Sequence, residues 1–176
     1  MISNLSRAAA LIAAFALAAP AAAQDTSANR VAADTDWSVF VEDDPQECWG
    51  VSAPKQEEFF RDGSPVSAST GEALLFVFYR PGAGVRGQVT YTGGYPFAGG
   101  STVTLDIGGS EYELFTEGEW AWPATPEDDA TIVAAMKRGA EAKLTGRSGR
   151  GTTVAHTFSL LGFTAAVEEA EGRCSD

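Results

Sequence analysis

The residues best suited to chemistry sit in one short stretch. Glu117, Glu119, Trp120 and Trp122 place two carboxylates beside two indoles. Indole faces stack on sugar rings, and a carboxylate pair can serve as the acid and base of glycoside hydrolysis. These four residues are therefore a candidate ligand or partner surface, with a hydrolase site as the more demanding version. The plain alternative has the tryptophans covering one end of a β-fold while the acids face water. His156 is the single histidine. A general base needs a nucleophile and an orienting acid beside it. Ser159 lies three residues on, which in a strand puts it on the opposite face. His156 accordingly reads as a surface or partly packed side chain.

Other patterns are set aside on context. Gly82-Ala83-Gly84-Val85-Arg86-Gly87 has the spacing of a dinucleotide-binding loop. The residues after it read as a strand, so no helix N-terminus would receive a pyrophosphate. The acidic run Glu42-Asp43-Asp44 could hold a cation, but such runs are more often solvated turns. No serine-hydrolase elbow or zinc-ligand spacing is present. Catalytic, cofactor-binding and metal-ligating residues are therefore assigned to none, and no cofactor is expected.

Met1 to Arg7 carries one positive charge, Ala8 to Ala19 is apolar, and Ala21-Ala22-Ala23 supplies small residues. That order is a secretory signal peptide, residues 1–23, with cleavage near Ala23. The apolar run is too short for a spanning helix, which needs roughly 20 such residues. No membrane span is expected after cleavage. The remainder has 11 basic and 24 acidic side chains, a formal charge of −13. Such a surface disfavours nucleic acid and anionic lipid. Two cysteines remain, Cys48 and Cys174. An even count in an oxidising compartment reads as a disulfide. A two-thiol metal site or free thiols are the alternatives.

The elements that would position these residues are mostly short strands. Residues 24–35 are small and polar and read as a flexible leader; a single domain occupies 36–176. Trp37 to Val41 alternates, with Trp37, Val39 and Val41 on one face. A second strand follows at Cys48 to Ala53, then a loop over 54–72, with at most a strand at Pro65 to Ala68. Ala73 to Tyr79 lacks alternation, which suggests burial on both faces. Arg86 to Thr92 is a further strand. Thr102–Ile107 and Ser110–Phe115 form a hairpin across Gly108-Gly109. Thr125, Pro126 and three acids start a helix that Gly139 ends. Ala140–Thr145 pairs with Thr152–Leu160. Phe163, Ala166 and Val167 then recur at helical spacing in a closing helix. The fold class is mainly β: an antiparallel β-sandwich or distorted barrel with two short helices.

Two stretches carry a likeness. At Met136-Lys137-Arg138-Gly139, and from Phe158-Ser159-Leu160-Leu161-Gly162-Phe163 into Thr164-Ala165-Ala166, the chain resembles the invasion-associated locus B family of exported alphaproteobacterial proteins. The tryptophan-led strand Trp37-Ser38-Val39 fits as well. The likeness extends over most of residues 36–174. It departs at the cysteines: many members carry one just after the first strand and a pair before the helix, where this chain has Phe40, Val41 and the cysteine-free Phe115 to Trp122. The resemblance implies a periplasmic, secreted or outer-surface protein that acts by contact with an envelope or host-surface protein, linked to host-cell invasion or adhesion. The alternative is a periplasmic small-molecule or glycan binder, or a hydrolase, built on Glu117 to Trp122.

Overall fold

The computed structural model describes residues 29–175. Residues 1–28, including the expected signal peptide and the start of the expected leader, lie outside the described residues. The chain forms strands β1 (Arg30–Asp34), β2 (Trp37–Asp43), β3 (Gln46–Ser52), β4 (Gln56–Arg61), β5 (Ser64–Pro65), β6 (Leu74–Arg80), β7 (Val85–Thr92), β8 (Thr102–Ile107), β9 (Ser110–Glu117), β10 (Trp120–Trp122), β11 (Glu141–Arg147) and β12 (Thr153–Ser159). Two helices, α1 (Pro126–Met136) and α2 (Phe163–Arg173), complete it.

The strands form one antiparallel sheet in the order β1-β2-β3-β6-β7-β10-β9-β8-β11-β12-β4-β5, with outer strands that do not pair to close a barrel. The sheet folds over so that distant strands meet face to face. Tyr91 of β7 touches His156 and Phe158 of β12, five places away in the sheet order. Alternation explains which side chains fill the space between the halves. Leu75, Val77 and Tyr79 of β6 are buried there, as are Val103, Leu105 and Ile107 of β8. Thr102–Ile107 and Ser110–Glu117 make the expected hairpin.

Helix α2 closes the open seam. Phe163 packs edge-on against Trp37 at 4.8 Å between ring centroids. The Trp37 indole N–H donates to the Ser159 carbonyl at 3.0 Å, tying β2 to the end of β12. Gly162 makes the turn with φ +88°, and a side chain there would collide with the Asp34 carbonyl of β1. Cys48 of β3 and Cys174 after α2 are joined in a disulfide. Helix α1 starts as its residue types dictate: Thr125 accepts from the Asp128 N–H at 3.2 Å, and Pro126 occupies the first turn. It also covers a gap. Strand β10 is too short to pair with all of β7, and the Asp129 carboxylate accepts the Val89 N–H at 2.8 Å instead.

Three expectations change. Arg30–Asp34, read as leader, is an edge strand paired with β2; its short RVAAD sequence, mostly exposed, suits a strand that covers little core. The loop read over 54–72 contains β4, whose polar sequence QEEFFR fits a strand near the sheet margin, paired to β12. Strand β6 is fully buried on one face only, with Phe76 and Phe78 part-exposed on the other.

Candidate functional site

The outer face of β2, β3, β6, β7, β10 and β9 carries a continuous aromatic surface. Backbone register builds it row by row. Phe40 stands opposite Trp49, and Trp49 opposite Phe78. Phe40 and Trp49 stack at 5.6 Å, and Trp49 meets Phe78 at 6.0 Å. Phe78 stacks on Phe76 at 5.1 Å, and Phe76 reaches Trp120 at 6.1 Å. Trp122 stands opposite Phe115, which extends the surface onto β9. Among the described residues no element covers it: Phe115 is 48% and Trp120 44% exposed. Leaving a contiguous patch of large apolar side chains open to water is unfavourable, and such patches mark interaction sites.

Polar groups are set into this surface. The Arg80 guanidinium lies 4.3 Å from the Phe78 ring centroid, a cation–π contact. Arg80 also pairs with Glu47 at 3.1 Å and donates to the Gln88 side-chain oxygen at 3.2 Å. Arg80, Gln88 and Thr90 line an open groove of about 400 Å³ with Phe78, Trp120 and Trp122. Strand alternation places Glu42, Glu47, Glu113 and Glu117 on this same face around the aromatics. The surface is thus apolar at its centre and acidic at its border.

The four residues singled out in the sequence divide. Trp120 and Trp122 both point outward, while Ala121 between them is buried, so the indoles do not cover the core. Glu117 and Glu119 flank the Gly118 turn that joins β9 to β10; both are exposed, and neither lines the groove. The aromatic partners supplied by β2, β3 and β6 were not singled out. Their signal was present in the unbroken run Leu74 to Tyr79, which carries apolar side chains on a face that the core does not use.

His156 needs a correction: it is fully buried, not a surface residue. Its Nδ1 shares a 2.6 Å hydrogen bond with the Tyr91 hydroxyl, and its Nε2 has no partner. Burial drives the imidazole pKa down to about 4, so the ring is neutral at neutral pH. Burial likewise raises the Tyr91 and Tyr95 hydroxyls. His156 shares the inward face of β12 with Val154 and Phe158, so strand alternation buries it with them; only its polar side chain suggested a surface position. The glycine-rich segment leads from a short 3-10 turn, Pro81–Ala83, into β7 with no helix, so it makes no dinucleotide loop. Among the described residues no group of three or more His, Cys, Asp or Glu side chains could hold a metal ion. No described helix is long and apolar enough to cross a membrane.

The family whose description reads Invasion associated locus B (IalB) protein matches residues 83–171, just over half of the 176. The chain belongs to this family. Its likeness to the IalB family rests on residues whose role is now physical. Gly162 and Phe163 carry the turn and the ring that lock α2 onto Trp37. IalB membership and the intramolecular disulfide both fit an exported protein. No curated protein and no solved structure matches the chain.

Proposed function

We propose that this protein works in the bacterial envelope as a binding protein without catalytic activity, and that it engages another protein through its outer aromatic face. The observation that supports this reading is the uncovered run from Phe40 to Phe115. Interface centres are enriched in Trp, Phe, Tyr and Arg, and binding energy concentrates on such anchors. The acidic border defines the partner: an apolar patch ringed by lysine or arginine, on an envelope or host-surface protein. IalB membership fits an invasion-associated role in general terms.

The test compares wild type with a Trp120→Ser, Phe115→Ser double variant in capture from envelope and host-cell extracts. One defined protein should bind the wild type in a salt-sensitive manner and be lost with the variant. Equal capture by both would defeat the reading.

A second reading has one observation in its favour. Trp120 and Trp122 border an open groove containing Arg80, Gln88 and Thr90, the mixture of flat rings and hydrogen-bonding groups that suits a glycan. Tryptophan fluorescence titrated with envelope glycans tests it. Flat responses, or a Trp122→Ala variant that responds like wild type, would remove it.

A further inference from the structure

A second cavity, of about 350 Å³, lies between the loops that follow β5, β7 and β11. Its chemistry runs against the rest of the molecule. The chain carries 24 acidic residues, yet none lines this cavity, while Arg61 and Arg150 both do. Five basic side chains elsewhere hold carboxylates: Lys55, Arg80, Lys137, Lys143 and Arg173. Among the described residues neither Arg61 nor Arg150 has such a partner. The Arg61 guanidinium donates to the Thr152 hydroxyl at 2.8 Å, which orients it at the cavity and leaves further N–H groups available. Phe59, Tyr95 and Val154 supply apolar walls.

The walls are fixed before any ligand arrives. The Gly71 N–H donates to the Gly94 carbonyl at 2.8 Å, joining the first two loops. Gly94 has φ +69°, and a Cβ there would lie 2.5 Å from the Gly71 carbonyl carbon, so the approach depends on glycine. The Gly149 N–H donates to the Pro96 carbonyl at 2.9 Å, and the Ser148 N–H to the Thr152 carbonyl at 2.8 Å, which ties in the third loop. A rigid, partly apolar pocket with convergent polar groups is the usual form of a small-ligand site. Guanidinium groups free of carboxylate are matched to a planar anion.

We infer that this cavity binds a carboxylate attached to a small apolar body, with Arg61 and Arg150 holding the carboxylate and Phe59, Tyr95 and Val154 packing the remainder. Such a carboxylate could belong to a free organic acid or to the C-terminus of a peptide. The site is separate from the outer aromatic face and does not depend on its role.

The test follows backbone amide signals of the mature protein by NMR during titration with benzoate and with benzyl alcohol, its neutral counterpart. Benzoate should shift Gly71, Gly94, Gly149 and Thr152. Benzyl alcohol should bind at least about tenfold more weakly, as expected when a charge-assisted bond is lost. Arg150→Gln should weaken benzoate by about fivefold or more with the rest of the spectrum unchanged. Arg61→Gln should do the same. Arg150, which makes no bond that holds the loops, keeps the test valid if Arg61→Gln disturbs Thr152. A dipeptide ending in Phe, with its C-terminus free or amidated, separates the two sources. A free form that binds more tightly than benzoate assigns a peptide end, and one that does not assigns a free acid. Equal binding of benzoate and benzyl alcohol, shifts centred on Trp120 instead, or an Arg150→Gln variant with unchanged affinity would each overturn the inference.

Discussion

The two faces of β6 differ in what covers them more than in how apolar they are. Inward, Leu75, Val77, Val89 and Tyr91 are fully buried against the facing half of the sheet and α2. Outward, Phe76 and Phe78 join Trp49 and Trp120 in ring contacts, with no described element above them. Folding accounts for the first set, because burial of each such side chain contributes roughly 1.5–3 kcal/mol. It accounts for little of the second. The comparison teaches that apolar side chains beyond those a core needs point to a partner, and that the lack of alternation in a strand is where to look for them.

The largest break in the comparison should come from the inner side. Phe163→Ala removes the ring packed on Trp37 and should cost about 3–5 kcal/mol in denaturant unfolding, as for other buried aromatics. Replacing both Cys48 and Cys174 by Ala should cost about 2–4 kcal/mol, because a bridge across 126 positions restricts a large unfolded loop. Measurement with and without reductant would separate that loss from any effect of the alanines.

Two buried groups give the inner side a pH signature. His156 titrates near 4 in the fold against 6.5 ordinarily. Between those values the unfolded chain takes a proton that the folded chain refuses, so stability falls as pH drops through that window. Asp129 acts in the opposite sense. Burial raises it from 3.8 to about 6, against the lowering effect of the Val89 N–H, so between those values the folded state holds the extra proton. Its contribution therefore improves as pH falls, and the two trends largely offset. Asp129→Asn keeps an oxygen for the Val89 N–H and removes the second trend. The variant should exceed wild type by roughly 1 kcal/mol near neutral pH, after allowance for screening, and lose that advantage near pH 4. Denaturant midpoints across this range would check it.

The smallest stability effect should come from the outer side. Trp120→Ala should cost less than about 1 kcal/mol, because the ring is nearly half exposed and little water re-enters the core. A loss comparable to that of Phe163→Ala would mean that the outer surface is part of the folding core after all.

Much of this was legible from local pattern. The β8–β9 hairpin, the capped start of α1 and the face of α2 followed from turn glycines, an N-cap threonine and helical spacing. What local pattern hid was set by distance along the chain. Strand β1 is five residues of mostly small side chains that bury little, and it forms because β2 offers an edge. His156 looks like a polar position until β7 folds over β12. In the candidate site, Trp120 and Trp122 were visible as a cluster. Phe40, Trp49 and Phe78 became part of it only through the register of three strands that lie far from β10 in sequence.

The most direct test of the central claim is site-specific photo-crosslinking in intact cells. A photoreactive amino acid would replace Phe115 on the aromatic face or, as control, Gln56, exposed on β4 near the opposite margin of the sheet. A discrete protein adduct from position 115 and none from position 56 is the predicted result. Adducts from both positions alike, or from neither, would contradict the assignment of this face as the binding surface.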